Sequence, residues 1–189
     1  MSPLHKAEQL LRLRDDNWWQ DLCELIPELT PLESTPQPSE YHQEGNVAIH
    51  TQLAIERCPK SCDPDLLWVA LLHDIGKPST TKQQTNGRLT AHGHAKVGSE
   101  IAGQILFRVG MPTRRRDRIT WVIRHHGFHH AWQLRQADEL SKRQRNYLMH
   151  EDFPLLLELL RVDSLASHGN PDGMQTYVFY KALWESLDA

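Results

Sequence analysis

Seven side chains able to carry charge or ligate a metal stand where apolar residues would be expected: His50, the adjacent pair His73-Asp74, His94, the pair His125-His126, and Asp163. Most fall on the apolar stripe of a helix. Leu66, Val69, Ala70 and His73 occupy positions i, i+3, i+4 and i+7, the spacing that lines up one helical face. Ile119, Val122, Ile123 and His126 repeat that spacing, as do Leu156, Leu159, Leu160 and Asp163. Asp74 continues a stripe of its own through Leu67, Ala70 and Leu71, and His50 follows Val47 and precedes Ala54. An imidazole or carboxylate aimed into an apolar interior is costly unless it is paired or binds a metal. One such residue is a core histidine; five helices each delivering one imply a metal site.

Neutral imidazole and carboxylate together suit the divalent ions Mn, Fe, Co, Ni, Mg or Zn. Neighbours on a helix point about 100° apart, so His73 and Asp74 reach one metal only where helices converge. Asp74 has two oxygens and is able to bridge two metals, with histidines of the two following helices completing the second site. Two metals about 3.5–4 Å apart clamp a phosphoryl group and generate hydroxide at neutral pH. The expected cofactor is therefore a mono- or dinuclear divalent metal, and the expected chemistry is hydrolysis of a phosphate ester. His126 lies squarely on its stripe and is favoured as the ligand; His125, one step around, is the alternative and otherwise faces the substrate.

The elements that must position these groups read as helices throughout. Ser2-Pro3 is a helix start, and Leu11, Trp18, Leu22 and Leu25 mark one face up to Pro27. Prolines 27, 31, 36 and 38 make a loop to about Gly45, an arm over the surface. Asn46 caps a helix to about Arg57. Asp63-Pro64 opens the next, apolar all round from Leu66 to Leu72, with Gly76 as its C-terminal stop. Residues 77 to 93 are polar and read as a loop, followed by a helix from His94 to Val109. Thr113 caps the helix carrying His125 and His126, residues 128 to 140 are ambiguous, and a weaker helix covers 141 to 151. Asp152 and Pro154 open the helix bearing Asp163, which ends near Gly169, and Tyr177, Tyr180, Trp184 and Leu187 mark a closing helix. No stretch alternates as a strand does and no repeat is evident. The fold class is all-α.

Composition narrows the rest. A chain of 189 residues with 39% hydrophobic content buries one sizeable core. A net charge of -3 argues against bulk attraction to nucleic acid or membrane. Cys23, Cys58 and Cys62 form no disulfide framework and read as reduced thiols in a cytoplasmic protein. There is no signal segment and no apolar run near the roughly 20 residues of a membrane span. A phosphate-binding loop of the Gly-x-x-x-x-Gly-Lys-Ser/Thr kind is absent, so nucleotide hydrolysis does no work here.

The order His50, His73-Asp74-Ile-Gly-Lys77, His94, His125-His126, Asp163 resembles the HD superfamily of metal-dependent phosphohydrolases. Three flanking stretches are similar to the HD domain attached to bacterial tRNA nucleotidyltransferases: Glu44-Gly-Asn-Val47 before His50-Thr51, Trp68 through Pro78, and Gly93-His94-Ala-Lys-Val-Gly98. The resemblance covers residues of roughly 40 to 170 and implies a helical bundle. Residues 1–45 are then an N-terminal helix and Pro-rich arm packed on an HD domain of residues 46–189, one structural domain overall, without the nucleotidyltransferase half. The Gly-Tyr-Pro signature of the group that opens cyclic dinucleotides is missing.

Carried over by position, the resemblance makes His50, His73, Asp74 and Asp163 the basic ligands, with His94 and His126 adding a second metal. The pattern around Gly93 and the stripe His94, Val97, Ile101 choose His94 over His92. Asp74 and Lys77 are the catalytic pair, with Lys77 near the phosphate. His92, His125, Arg124 and Lys77 are the substrate-binding candidates. Glu44 orients a ligand, serves as an acid/base, or is a helix N-terminal partner. Arg114-Arg115-Arg116 reads as a solvated face or an RNA contact, Trp121 and Trp132 as core or as stacking platforms, and His129 and His130 as surface residues. The resemblance favours 2′,3′-cyclic phosphodiesterase and 2′-phosphatase activity on a small-molecule nucleotide or an RNA 3′ end. The alternatives are a 5′-nucleotidase or other small phosphomonoesterase, and a non-catalytic module that binds metal and nucleotide or RNA. Oligomeric state is not legible.

Overall fold

Leu66 to Leu72, apolar on every side, is buried at every position in the computed structural model, which describes residues 1–40, 42–132, 140–170 and 172–188. Helix α4 (Pro64–Leu72) carries this run, opened by Asp63, whose side chain accepts from the Asp65 N–H. Burying a leucine or valine fully is worth about 1.5–3 kcal/mol, so this one helix is a large share of the core. Around it pack α3 (Val47–Glu56), α7 (Thr113–His125) and α10 (Phe153–Ala166), and α6 (His94–Arg108) lies along α7. The closing helix α11 (Gly173–Asp188) covers α10. Shorter helices α5 (Lys77–Thr80), α8 (Phe128–Ala131) and α9 (Lys142–Leu148) fill the connections. The fold is helical apart from one small hairpin, and no described helix is long and apolar enough to cross a membrane.

The first predicted helix is in fact two, α1 (Pro3–Leu13) and α2 (Trp18–Leu25). The chain turns at Arg14, which adopts a left-handed conformation (φ 49°) and donates from its guanidinium to the Ile55 carbonyl at 2.6 Å. That long-range hydrogen bond and the polar stretch Asp15-Asp16-Asn17 break a pattern whose apolar spacing alone was continuous. The Pro-rich arm begins as a 3-10 helix, Pro27–Ser34, buried through Leu29 and Leu32. Both segments belong to the same hydrophobic cluster as Trp68 and Phe153.

Three further expectations change. Residues 77 to 93 are not only loop: they form α5 and a two-stranded hairpin, β1 (Lys82–Gln83) with β2 (Leu89–Thr90), too short to show an alternating pattern. Gly76 does not stop α4, which ends at Leu72; its φ is -84°. What it supplies is closeness. A Cβ at Gly76 would sit 2.2 Å from the His94 carbonyl oxygen and 2.6 Å from the Gly98 nitrogen, so only glycine lets the start of α6 rest on this turn. Thr113 is the first residue of α7, behind Pro112, and makes no cap. The weaker helix is α9, opened by a capping box between Ser141 and Gln144. Of the ambiguous stretch 128 to 140, residues 133–139 lie outside the described residues.

Candidate metal centre

His50, His73, Asp74, His94, His126 and Asp163 meet at one end of the bundle. Each comes from a different place: His50 from the middle of α3, His73-Asp74 from the turn after α4, and His94 from the first residue of α6. His126 comes from the residue after α7, and Asp163 from α10. His50, His73 and Asp74 are buried. The Asp74 carboxylate stands at the centre, and its two oxygens face different partners. Oδ2 lies 2.7 Å from Lys77 Nζ, 3.3 Å from His73 Nε2 and 3.9 Å from His50 Nε2. Oδ1 lies 3.6 Å from His94 Nε2 and 4.0 Å from His126 Nε2. Asp163 Oδ1 closes the first group, 2.8 Å from His50 Nε2 and 3.8 Å from His73 Nε2.

The rings are held by their other nitrogen. Nδ1 of His73 contacts the Ala70 carbonyl at 2.9 Å, that of His94 the Ala91 carbonyl at 2.7 Å, and that of His126 the Ile123 carbonyl at 2.7 Å. A carbonyl only accepts, so Nδ1 carries a hydrogen and Nε2 is the atom turned toward Asp74. His94 and His126 Nε2 stand 3.0 Å apart. Neutral, both present lone pairs to each other, an arrangement that favours a cation between them and Asp74. The Nε2 atom of His73 is buried with no hydrogen-bond partner, and that of His50 has only the Asp163 carboxylate beside it, at 2.8 Å. Such orphaned groups are rare away from sites built for something else. The donor set, nitrogen and carboxylate oxygen with fixed tautomers, fits one or two divalent metals. His50-His73-Asp74 and Asp74-His94-His126 are each close enough to share an ion.

Charge around the centre is uneven. Burial disfavours the His50 imidazolium, but the Asp163 and Glu44 carboxylates outweigh it and raise its pKa to about 9. Burial works against ionisation of Asp163 and Asp74 as well; His50 beside the former, and Lys77 and His73 beside the latter, hold both carboxyls well below the usual range. On the other side, burial and then its histidine neighbours lower His126 to about 3, and burial lowers His94. Carboxylates thus favour the imidazolium at His50, and burial disfavours it at His94 and His126.

The Pro-rich arm reaches into this site, which its composition did not reveal. Glu44 is buried and accepts from His50 Nδ1 at 2.9 Å and from His42 Nδ1 at 2.8 Å. Its other oxygen accepts from the His168 N–H at 2.9 Å. Glu44 thus contacts a candidate ligand, and the α3 N-terminus takes its cap from Asn46 instead. Gln37 accepts from Lys77 Nζ at 2.6 Å. The motif Glu44-Gly-Asn-Val47 was a signal for Glu44; nothing in the sequence marked Gln37 or His42.

Above the centre opens a cavity of ≈590 Å³ whose walls include Lys77, Arg88, His92, His129 and Asp172. His129 was read as a surface residue and is not: its Nδ1 is buried without a partner, and burial pulls its pKa down to about 4. His130 is exposed but lines the cavity too. His125 stands apart from the cluster, with Nδ1 on the Trp121 carbonyl at 2.7 Å. Arg124 is exposed and outside this cavity. In the arginine run, Arg115 is tied to Asp65 at 2.7 Å and Glu8 at 2.8 Å, so it braces α7 against α4 and α1. Trp121 stacks on His150 at 4.0 Å.

A family model described as the HD domain matches residues 39–162, an interval that contains His50, the His73-Asp74 pair, His94 and His126. The chain belongs to the HD-domain family. It is an HD-type metal-dependent phosphohydrolase, with the buried His/Asp groups of such an enzyme. Among curated relatives, a multifunctional CCA protein from Teredinibacter turnerae is 35% identical over 115 residues, 60% of this chain and 27% of that protein. An A-adding tRNA nucleotidyltransferase from Deinococcus radiodurans is 34% identical over 151 residues, 76% of this chain and 32% of that protein. A multifunctional CCA protein from Aromatoleum aromaticum is 28% identical over 169 residues, 87% of this chain and 40% of that protein. The chain therefore spans less than half the length of these relatives.

Proposed function

We propose that this HD domain hydrolyses 2′,3′-cyclic phosphodiesters and 2′-phosphomonoesters at the end of a nucleotide or RNA. The observation that carries the reading is the division of Asp74, one oxygen toward His50 and His73 and the other toward His94 and His126. His50, His73, Asp74 and Asp163 would hold one divalent metal, and Asp74, His94 and His126 would hold a second. When bound, such a pair supplies Lewis-acid stabilisation and a nucleophile at neutral pH.

The chain's own residues do the rest. In the reaction, water oxygen bonds to phosphorus, the bond from phosphorus to a ribose oxygen breaks, and that oxygen takes up a proton. Lys77, 2.7 Å from Asp74 and on the cavity wall, donates a hydrogen bond to the leaving oxygen. Gln37 holds the Lys77 ammonium in reach of the cavity. Glu44 is a positioning residue that fixes the His50 ring. Support for an RNA end comes from relatives whose names refer to CCA and to tRNA nucleotidyl transfer.

The test is hydrolysis of 2′,3′-cyclic AMP, 2′-AMP, 3′-AMP, 5′-dAMP and a generic phosphate ester with Mn, Co, Ni or Mg, alongside Asp74→Ala. Turnover of the cyclic and 2′ substrates that disappears in the variant is expected. Turnover of 5′-dAMP alone moves the reading to a 5′-nucleotidase. No turnover from protein that still binds metal and nucleotide moves it to a binding module.

A further inference from the structure

A second cavity, ≈800 Å³, adjoins the metal cavity and shares a wall with it: Ala91, His92 and His94 on one side, Gly127 and His130 on the other. Its remaining described walls come from the start of α6, the end of α7, α8 with Trp132 behind it, and α9, and they contrast with those of the first cavity. The metal cavity carries Asp74, Asp163 and Asp172, whereas the described lining of the second includes no carboxylate. Instead it includes Arg124 and Arg143, both exposed and able to reach a phosphate.

It is also aromatic. Trp132 and Tyr147 line it, ring centroids 5.0 Å apart and at 67°, each partly exposed and so offering a face or an edge to a flat ligand. His125 lines it as well, its Nδ1 held by the Trp121 carbonyl so that Nε2 is left as an acceptor. Guanidinium groups on phosphate and aromatic rings on bases are the two devices by which proteins hold single-stranded nucleic acid. A free mononucleotide bound at the metal centre would leave all of this unused. A strand that ends at the metal centre has one more base and one more phosphodiester to place directly behind it.

We propose that the second cavity is the subsite for the nucleotide preceding the terminal one, which makes the substrate the 3′ end of an RNA strand. This rests on the function proposed above for the chemistry of the first cavity; the binding of the strand itself does not. Arg143, with Arg124, pairs with the phosphodiester joining the last two nucleotides, and Trp132 and Tyr147 take the penultimate base.

Two measurements on the full chain decide it. The first is fluorescence anisotropy of a 5′-labelled RNA trinucleotide ending in a 3′-hydroxyl, with wild type and Arg143→Glu, an exposed change that leaves the core untouched. Wild-type binding that weakens about tenfold in the variant is expected, the scale of one lost charge-assisted phosphate contact. Equal affinities, or no binding by wild type, overturn the subsite. The second compares kcat/KM for 2′,3′-cyclic AMP and for a trinucleotide ending in a 2′,3′-cyclic phosphate. Wild type should prefer the trinucleotide about tenfold through KM, and Arg143→Glu should erase that preference while sparing cyclic AMP. Equal kcat/KM in wild type overturns the inference. Failure to turn over either substrate sinks the proposed function, and the anisotropy then still decides the subsite.

Discussion

The two halves of the site around Asp74 are built from similar residues and differ in everything that surrounds them. His50 and His73 are buried in the bundle, and two further carboxylates, Glu44 and Asp163, stand beside His50. His94 and His126 sit at a helix start and just past a helix end, partly exposed, with backbone carbonyls behind them and Asp74 as the carboxylate they share. The first half would bring more negative charge to a metal, and its two histidines are packed into the core. The second relies on how closely α6 and α7 approach the turn after α4. Divalent affinity follows ligand charge and rigidity, so the first half should fill at lower metal concentration.

The largest effect should come from breaking the first half. His73→Ala is expected to abolish tight metal binding and lower kcat by about a thousandfold or more, the range of several kcal/mol that a lost metal site costs. His126→Ala should leave one metal per chain, with kcat reduced about ten- to hundredfold; metal content by elemental analysis separates the two variants. Equal metal loss in both would end the comparison. A smaller effect is expected from Gly76→Ala, which forces α6 away from the turn. It should cost about 1–3 kcal/mol of stability in thermal unfolding and weaken only the second metal in calorimetry. Unchanged two-metal binding would show that the α6 contact does not set the second half. The smallest should be Glu44→Gln, about a tenfold loss of affinity confined to the first metal, since the Gln still offers His50 one acceptor oxygen but no charge.

How much of this was legible depended on where each residue sits. His50 and Asp163 lie within helices of regular period, His73 and His126 directly follow helices and continue their stripes, and a polar residue on an apolar stripe is conspicuous. The helical bundle and the candidate cluster could be read from that alone. The arm from Pro27 to Gly45 has no period, so Gln37, which touches Lys77, and His42, which touches Glu44, carried no positional signal, and Glu44 was marked only by its motif. His129 follows no stripe because α8 is a single turn, too short to show one. The break at Arg14 was hidden for the opposite reason: the apolar spacing ran through it, and a hydrogen bond to Ile55, 41 residues away, decides it.

Gly76 has a consequence for how this site tolerates change. The first turn of α6 rests on the main chain at residue 76 with no side chain between them. The spacing between the two halves is therefore set by backbone touching backbone, and rotamers have little say in it. Sequence drift around the site can alter charge, cavity shape and substrate while the ruler that separates the two candidate ion positions stays fixed. A methyl group added at Gly76 lengthens it.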